Sequence, residues 1–357
     1  MTTTIDAADD LRFAQRALVP FERRSLSTAL RSFGRTWLYY IAGFTAAVVL
    51  PWWPMRVAAA FITATFLANL FLVGHDAGHG SYCGRRAYDE VIGRLAFLPI
   101  WHPFSVWSDQ HVRLHHRFTN LRDNDFVWAP MTPDAYRALS SLKRLEYRVY
   151  RSTPGLGVYY LREIWWRRLF RPIGGRVPCN GRIHRVDRCV APIGLALQLA
   201  ACLGLVPLVR HLDFGTAVSA ITTAIVLPFV FCTWMLGFGT YFNHTHPTVI
   251  WYADGDESPY LRTQAEASVH LMFPPALAFF LGNVMEHPAH HLNPRVPLCQ
   301  LRDAQREMTR RAHDAFVSQR WSVREHRRIV KTCRLFDYGT NRWVDYADPA
   351  SIVSTAG

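Results

Sequence analysis

Apolar positions along this chain gather into four blocks, separated by basic or histidine-rich segments. The blocks are residues 36–53, 55–74, 191–209 and 214–241. Each approaches the length that an α-helix needs to cross a hydrocarbon core, about 20 mostly apolar residues. Soluble cores rarely use four near-uncharged runs of this length, so transmembrane helices are expected instead of buried core helices. The blocks come as two pairs. Residues 51–54 (PWWP) join the first pair and residues 210–213 (RHLD) the second. Links this short make helical hairpins, and Trp52 and Trp53 suit a membrane interface.

The expected architecture is an all-α integral membrane protein. Four transmembrane helices form two hairpins beneath a helical cytoplasmic cap. Its segments are a cytoplasmic N-terminal stretch, 1–35; hairpin 1, 36–74; a cytoplasmic segment, 75–190; hairpin 2, 191–246; and a cytoplasmic C-terminal region, 247–357.

Charge orients this frame. Of the 357 residues 50% are hydrophobic, yet the formal net charge is +13. Nineteen Lys and Arg lie from Arg85 to Arg188, while the short links hold almost none. The excess of cations on cytoplasmic loops then places both termini and the middle segment in the cytoplasm. A nucleic-acid partner is not expected, because the basic residues flank apolar spans and alternate with Trp. Residues 161–172 (LREIWWRRLFRP) read as an interfacial helix, with rings at headgroup depth and Arg reaching phosphates. The acidic, polar start gives no sign of a cleavable signal peptide. The seven cysteines are scattered without a Cys-x-x-Cys pair, so neither disulfides nor a zinc–cysteine site is expected.

The chemistry lies in the histidines. Sixteen are present, and most fall in four clusters. These are His75 and His79; His111, His115 and His116; His244 and His246; and His287, His290 and His291. His75/His79, His111/His115 and His287/His291 are each i and i+4, so a helix would put each pair on one face. His116 adds a neighbour about 100° round the helix. His102, His184, His211, His270, His313 and His326 are scattered and read as satisfied core or surface residues. One metal takes at most about six ligands, so eight or nine clustered imidazoles point to two ions. Neutral imidazole suits Fe, Zn, Cu and Ni. With the expected topology, every cluster lies at one membrane face.

The clusters HDAGHGS, HVRLHHRFTN and HPAHH resemble the three histidine boxes of the membrane fatty acid desaturase family in order, spacing and placement. TYFNHTHP at 240–247 is similar to the TYLQHTHP segment of its acyl-lipid omega-6/omega-3 branch. HHLNPRVPLCQL at 290–301 is similar to the stretch after that branch's third box. The resemblance covers about residues 66–301. It implies a di-iron, O2-dependent enzyme that removes two hydrogens from an unactivated C–C bond of a long acyl chain, using two external electrons. It carries over His75, His79, His111, His115, His116, His287, His290 and His291 as iron ligands, with His244 as the ninth. His246 is left open, because other branches lack it. The second box here is H-x3-H-H, where the plant branch has H-x2-H-H; bacterial members show the longer form. No cytochrome b5 HPGG motif is present, so electrons are expected from a separate ferredoxin or cytochrome b5 type of donor with a reductase. The acyl carrier is left open among lipid, CoA and acyl carrier protein.

An alkyl C–H bond is inert to side-chain acids and bases, so the cofactor carries the oxidation and the protein supplies ligands, orientation and exclusion of side reactions. Residues that could orient the ligand rings are Asp76, Asp109, Asp123, Asp125, Glu286 and Asn243. Gly78 and Gly80 allow either close packing or helix termination. On the same ligands, a hydroxylase, acetylenase or carotenoid-type oxygenase is the alternative chemistry. A zinc-dependent membrane hydrolase needs only about three His and an open water site, which leaves most clusters unexplained.

Overall fold

The computed structural model describes residues 7–171, 178–253 and 260–347. The acidic first residues, Pro172 and the His313 side chain lie outside what is described. The chain forms two compact units. One comprises Met1–Arg23, His111–Tyr159 and Gly237–Gly357; the other comprises Arg24–Gln110 and Tyr160–Leu236.

The second unit holds the long apolar helices. Leu26–Val49 and Trp53–Gly78 form a helical hairpin, closed by a Pro in the first turn of the latter. The helix that begins at Arg182 runs through Leu208 in a tightened last turn, and the next runs Phe214–His244, its last turns lying in the first unit. Among the described residues, three helices are able to cross a membrane by length and composition: Trp53–Gly78, Arg182–Leu208 and Phe214–His244. The expected first span falls in Leu26–Val49, which ends before Pro51 with Leu50 as its cap. Its unbroken apolar part, residues 37–49, covers about 20 Å at 1.5 Å per residue, against the roughly 30 Å of a hydrocarbon core. The turn preceding it carries Arg31 and Arg35.

Buried polar pairs pin these helices together. Gln198 accepts from Trp101 Nε1 at 2.8 Å, and its Nε2 reaches Tyr40 Oη at 2.7 Å and the Pro99 carbonyl at 3.0 Å. Asp187 accepts from Arg94 Nε at 2.9 Å and from the Ser105 amide at 2.8 Å. A buried amide or carboxylate satisfied on several sides fixes the register of the elements around it. The Trp-rich segment is helical with wide π-type turns over Tyr160–Phe170. It faces two ways: Trp165 donates to the Trp101 carbonyl at 3.1 Å, while Trp166 is exposed.

The first unit is a helical assembly with two small strand pairs that the sequence pattern did not reveal. Val269–Met272 pairs in parallel with Val317–Arg320, and Leu335–Asp337 pairs antiparallel with Arg342–Val344. Tyr136, Tyr147, Leu335 and Val344 form a core between helices and the antiparallel pair.

Of the scattered histidines, His102 and His326 have hydrogen-bond partners and His211 lies at the surface. His102 uses both ring nitrogens, at 2.6 Å from the Ile100 carbonyl and 3.0 Å from Tyr160 Oη. His326 bonds Thr153 at 2.7 Å, and His211 is exposed. Burial pushes His102 down to about 4, partly offset by the Ile100 carbonyl. A depressed folded-state value means that the unfolded chain binds the extra proton first. The stability that this ring contributes is therefore complete above about pH 6.5 and is lost as pH falls through about 4. Thermal unfolding of the purified protein is expected to weaken over that window by up to about 3 kcal/mol from this group. His102→Gln should flatten the decline; an unchanged slope would show that His102 does not couple to it.

Candidate metal centre

Box one ends the helix Trp53–Gly78. His79 still donates its amide to the His75 carbonyl at 3.2 Å, so the two rings share a face, their centroids 4.9 Å apart. His75 Nδ1 lies 3.3 Å from Asp76 Oδ1. The two glycines divide the alternatives. A Cβ on Gly78 would sit 3.0 Å from the Trp107 ring, which is close packing; Gly80 faces open space at φ +65°, which is helix termination.

Box two departs from the expected α-helix. Asp109–His115 is a π-helical turn, and the His116 amide bonds the His111 carbonyl, an i to i+5 link, at 3.0 Å. Widening the turn brings i and i+5 together, and such turns recur at functional sites. His111 and His116 therefore meet, Nε2 to Nε2 at 3.2 Å, and His290 Nε2 is also 3.2 Å from His116 Nε2. His115 is left facing a different group.

That group is His115, His244, His287 and His291, all buried, with one ring nitrogen of each within 4.8 Å of the others. His244 ends its long helix, and the short helix His287–Leu292 aligns His287 and His291 by i,i+4 spacing. Acceptors at Nδ1 set the tautomers. His115 Nδ1 is 3.0 Å from both oxygens of Asp125. His244 Nδ1 donates to the Ala267 carbonyl at 3.0 Å. His291 Nδ1 donates to Gln264 Oε1 at 3.0 Å. Each of these three rings thus carries its proton on Nδ1 and presents a bare Nε2 lone pair inward.

The spacing of those lone pairs tests whether a cation fits. His287 Nε2 lies 2.8 Å from His244 Nε2 and 3.0 Å from His291 Nε2. One proton on His287 could serve only one of these neighbours; the other pair would be two lone pairs in repulsion. Imidazole nitrogens about 2.1 Å from one first-row ion sit about 3.0 Å apart at octahedral angles and about 3.4 Å apart at tetrahedral ones. The two observed spacings lie near the octahedral value. Burial, and then the neighbouring imidazoles, hold His291 well below its ordinary value, so the ring stays neutral and able to ligate.

The orienting residues are partly those expected. Asp125 holds His115 and is itself fixed by the Asn120 amide at 2.9 Å and the Val127 amide at 3.0 Å. Asp76 lies beside His75. Asp109 instead pairs with His184 Nε2 at 3.0 Å, while His184 Nδ1 accepts from the Gly181 amide at 3.1 Å. Glu286 pairs with His270 at 2.5 Å. Asp123 is an exposed partner of Arg122, and Asn243 bonds no box histidine among the described residues. Sequence reasoning missed Gln264 and the Ala267 carbonyl, which lie in no histidine motif.

His246 points elsewhere. Its Nδ1 bonds Thr248 Oγ1 at 2.8 Å, its carbonyl accepts from Trp343 Nε1 at 3.0 Å, and its Nε2 lies 3.4 Å from Arg328. Burial, with Arg328 adding to it, pushes this ring down to about 4, so it is uncharged at neutral pH.

Four buried imidazoles with inward Nε2 atoms form a group suited to hold a metal ion, in a chain that also carries long apolar helices. The profile of the family described as "Fatty acid desaturase" matches residues 51–322, and the chain belongs to that family. It is an oxidoreductase of lipid metabolism. Among curated relatives, the chain is 25% identical over 316 residues to the sn-1 oleoyl-lipid 12-desaturase of Picosynechococcus sp., covering 83% of this chain and 81% of that protein. It is 26% identical over 305 residues to the chloroplastic omega-6 fatty acid desaturase of Brassica napus, covering 85% of this chain and 64% of that protein. It is 27% identical over 277 residues to a fatty acid desaturase of Bacillus subtilis, covering 76% and 72%.

Removing an orienting partner of a metal-bound His typically costs 10–100-fold in metal affinity. Asp125→Asn, and Gln264→Ala through His291, are expected to lower metal retention during chelator titration by about that factor. His244→Ala should lose the ion held with His287 and His291. His246→Ala should keep wild-type metal content by elemental analysis; a loss equal to that of His244→Ala would contradict its exclusion.

Proposed function

We propose that the protein introduces a double bond into the acyl chain of a membrane lipid, with O2 and two external electrons, at a centre of two irons. The observation that carries this reading is the set of inward Nε2 lone pairs around His287, which a first-row ion satisfies. The ligands proposed are the nine residues His75, His79, His111, His115, His116, His244, His287, His290 and His291. Iron bound there would supply the oxidising power that side chains lack. Around it the chain's own groups have defined tasks. Asp125, Gln264 and the Ala267 carbonyl hold the Nδ1 protons, which keeps His115, His291 and His244 turned inward. The neutral shell favours ferrous iron over a highly charged core.

The membrane arrangement proposed keeps four spans, with Leu26–Val49 beside the three longer apolar helices. Both termini and the metal centre face the cytoplasm, as the distribution of Lys and Arg supports. Electrons come from a separate donor of ferredoxin or cytochrome b5 type. The acyl-lipid substrate is supported by the names of the cyanobacterial relatives, which also make position 12 of an oleoyl chain the first to examine.

Expression in a host that makes oleoyl lipids, with double bonds located by mass spectrometry, is expected to yield a new doubly unsaturated chain. His115→Ala should reduce it to background while leaving the protein in the membrane. A hydroxylated product with no new double bond would contradict desaturation. About one zinc and no iron per chain in native membranes, with no lipid change, would favour the hydrolase.

A further inference from the structure

A concave site apart from the histidine cluster lies within the first unit. It is a cavity of about 570 Å³ lined by Arg148, Arg151, Arg327, Lys331 and Arg334, with Asp345 as its one carboxylate. This volume falls in the range of small-molecule sites. Four of the five cations are on or just after two helices, Ser141–Tyr150 and Val323–Thr332, and the fifth follows the second of them by two residues.

The cations are unequally satisfied. Arg334 is bound by both oxygens of Asp345, at 2.7 and 2.8 Å. Arg148 spends its Nε on Tyr136 Oη at 2.6 Å. The guanidiniums of Arg148 and Arg334 each lie 5.1 Å from the centre of the Tyr346 ring, so two like charges share one aromatic face pair. Arg151 is buried and pairs with no carboxylate among the described residues; it donates to the Trp128 carbonyl at 2.6 Å and to the Cys333 carbonyl at 3.4 Å. Arg327 and Lys331 are exposed, one helical turn apart, and make no hydrogen bond or ion pair among the described residues. A fold that gathers five positive charges around one negative charge bears their mutual repulsion unless an anion enters.

We propose that this cavity binds a phosphate-bearing anion. Guanidinium forks match phosphate oxygens in pairs, and a lysine beside them supplies a point charge to the same group. The recess favours a compact phosphate over the acidic face of a partner protein. A flat acidic surface could reach Arg327 and Lys331 but not the buried Arg151. The phosphate could belong to a lipid headgroup or to a soluble compound, and both use the same cations.

The test uses the full-length protein in neutral detergent, with two probes. Inorganic pyrophosphate is titrated by calorimetry at low and high salt, and bound phosphatidylglycerol is scored against phosphatidylcholine by native mass spectrometry. The double variant Arg327→Gln/Lys331→Gln removes the two unpaired, exposed cations and leaves the Arg334–Asp345 pair intact. Wild type should bind at least one probe, more weakly as salt rises. The double variant should bind roughly tenfold more weakly, the expected scale for two partly screened charges. Pyrophosphate binding alone assigns a soluble phosphate compound, and a selective phosphatidylglycerol adduct assigns a headgroup; either supports the site. No binding of either probe by wild type, or equal affinity in the variant, would overturn it. So would a variant whose only defect is slower reduction by an acidic electron-transfer protein. Binding is read without turnover, so failure here leaves the desaturase reading untouched.

Discussion

The constraint on which the rest depends is the confrontation of uncharged nitrogen lone pairs inside the first unit. His115, His244 and His291 each hold their proton on Nδ1 and donate it in a hydrogen bond to a fixed acceptor, so a neutral ring has none to donate through Nε2. His287 can offer one proton to two neighbours at 2.8 and 3.0 Å. Without a cation, the arrangement buries repulsion; a cation with ligands at octahedral angles would need nitrogen spacings close to these. A buried polar network left half satisfied costs more than an apolar core, and a cation among these four rings would relieve that cost.

Much of the surrounding architecture serves that demand. The long helix ending at His244 and the short helix His287–Leu292 bring imidazoles from distant sequence together. The turn holding Asp125 is stiffened by two backbone amides before the carboxylate meets His115. The Gln305 side chain accepts from the Ala289 amide at 3.0 Å, fixing the first turn of the helix that carries the third box. The π-turn at 109–115 spends one irregular stretch of backbone to split box two, sending His116 toward His111 and His290 while His115 joins His244 and His291.

The legible part of this site was its spacing. Residues at i and i+4 on a regular helix share a face whatever the tertiary context, so His75/His79 and His287/His291 were readable from the chain alone. His116 was not, because its direction depends on an i to i+5 hydrogen bond that the α-helical spacing does not anticipate. Proximity in sequence also proved a poor guide to orienting groups. Asp109 and Glu286 adjoin boxes but turn to His184 and His270, whereas Gln264 adjoins none and holds His291. The direction of His246 depends on Thr248 and Trp343, which bond its ring and its carbonyl and lie outside any histidine spacing. Among the apolar blocks, three lie in helices long and apolar enough to span a membrane; the first lies in Leu26–Val49, whose N-terminal turns carry Arg31 and Arg35. The strand pairs of three or four residues were too short to leave a period-two pattern.

The most direct test of the central claim is X-ray absorption at the iron edge, combined with elemental analysis, on protein isolated without chelator from membranes grown with iron. About two irons per chain are expected. Their nearest scatterers should be nitrogen or oxygen near 2.1 Å, with the outer-shell pattern of several imidazoles. A chain that stays folded and active with one metal or none, or iron ligated mainly by sulfur, would contradict it.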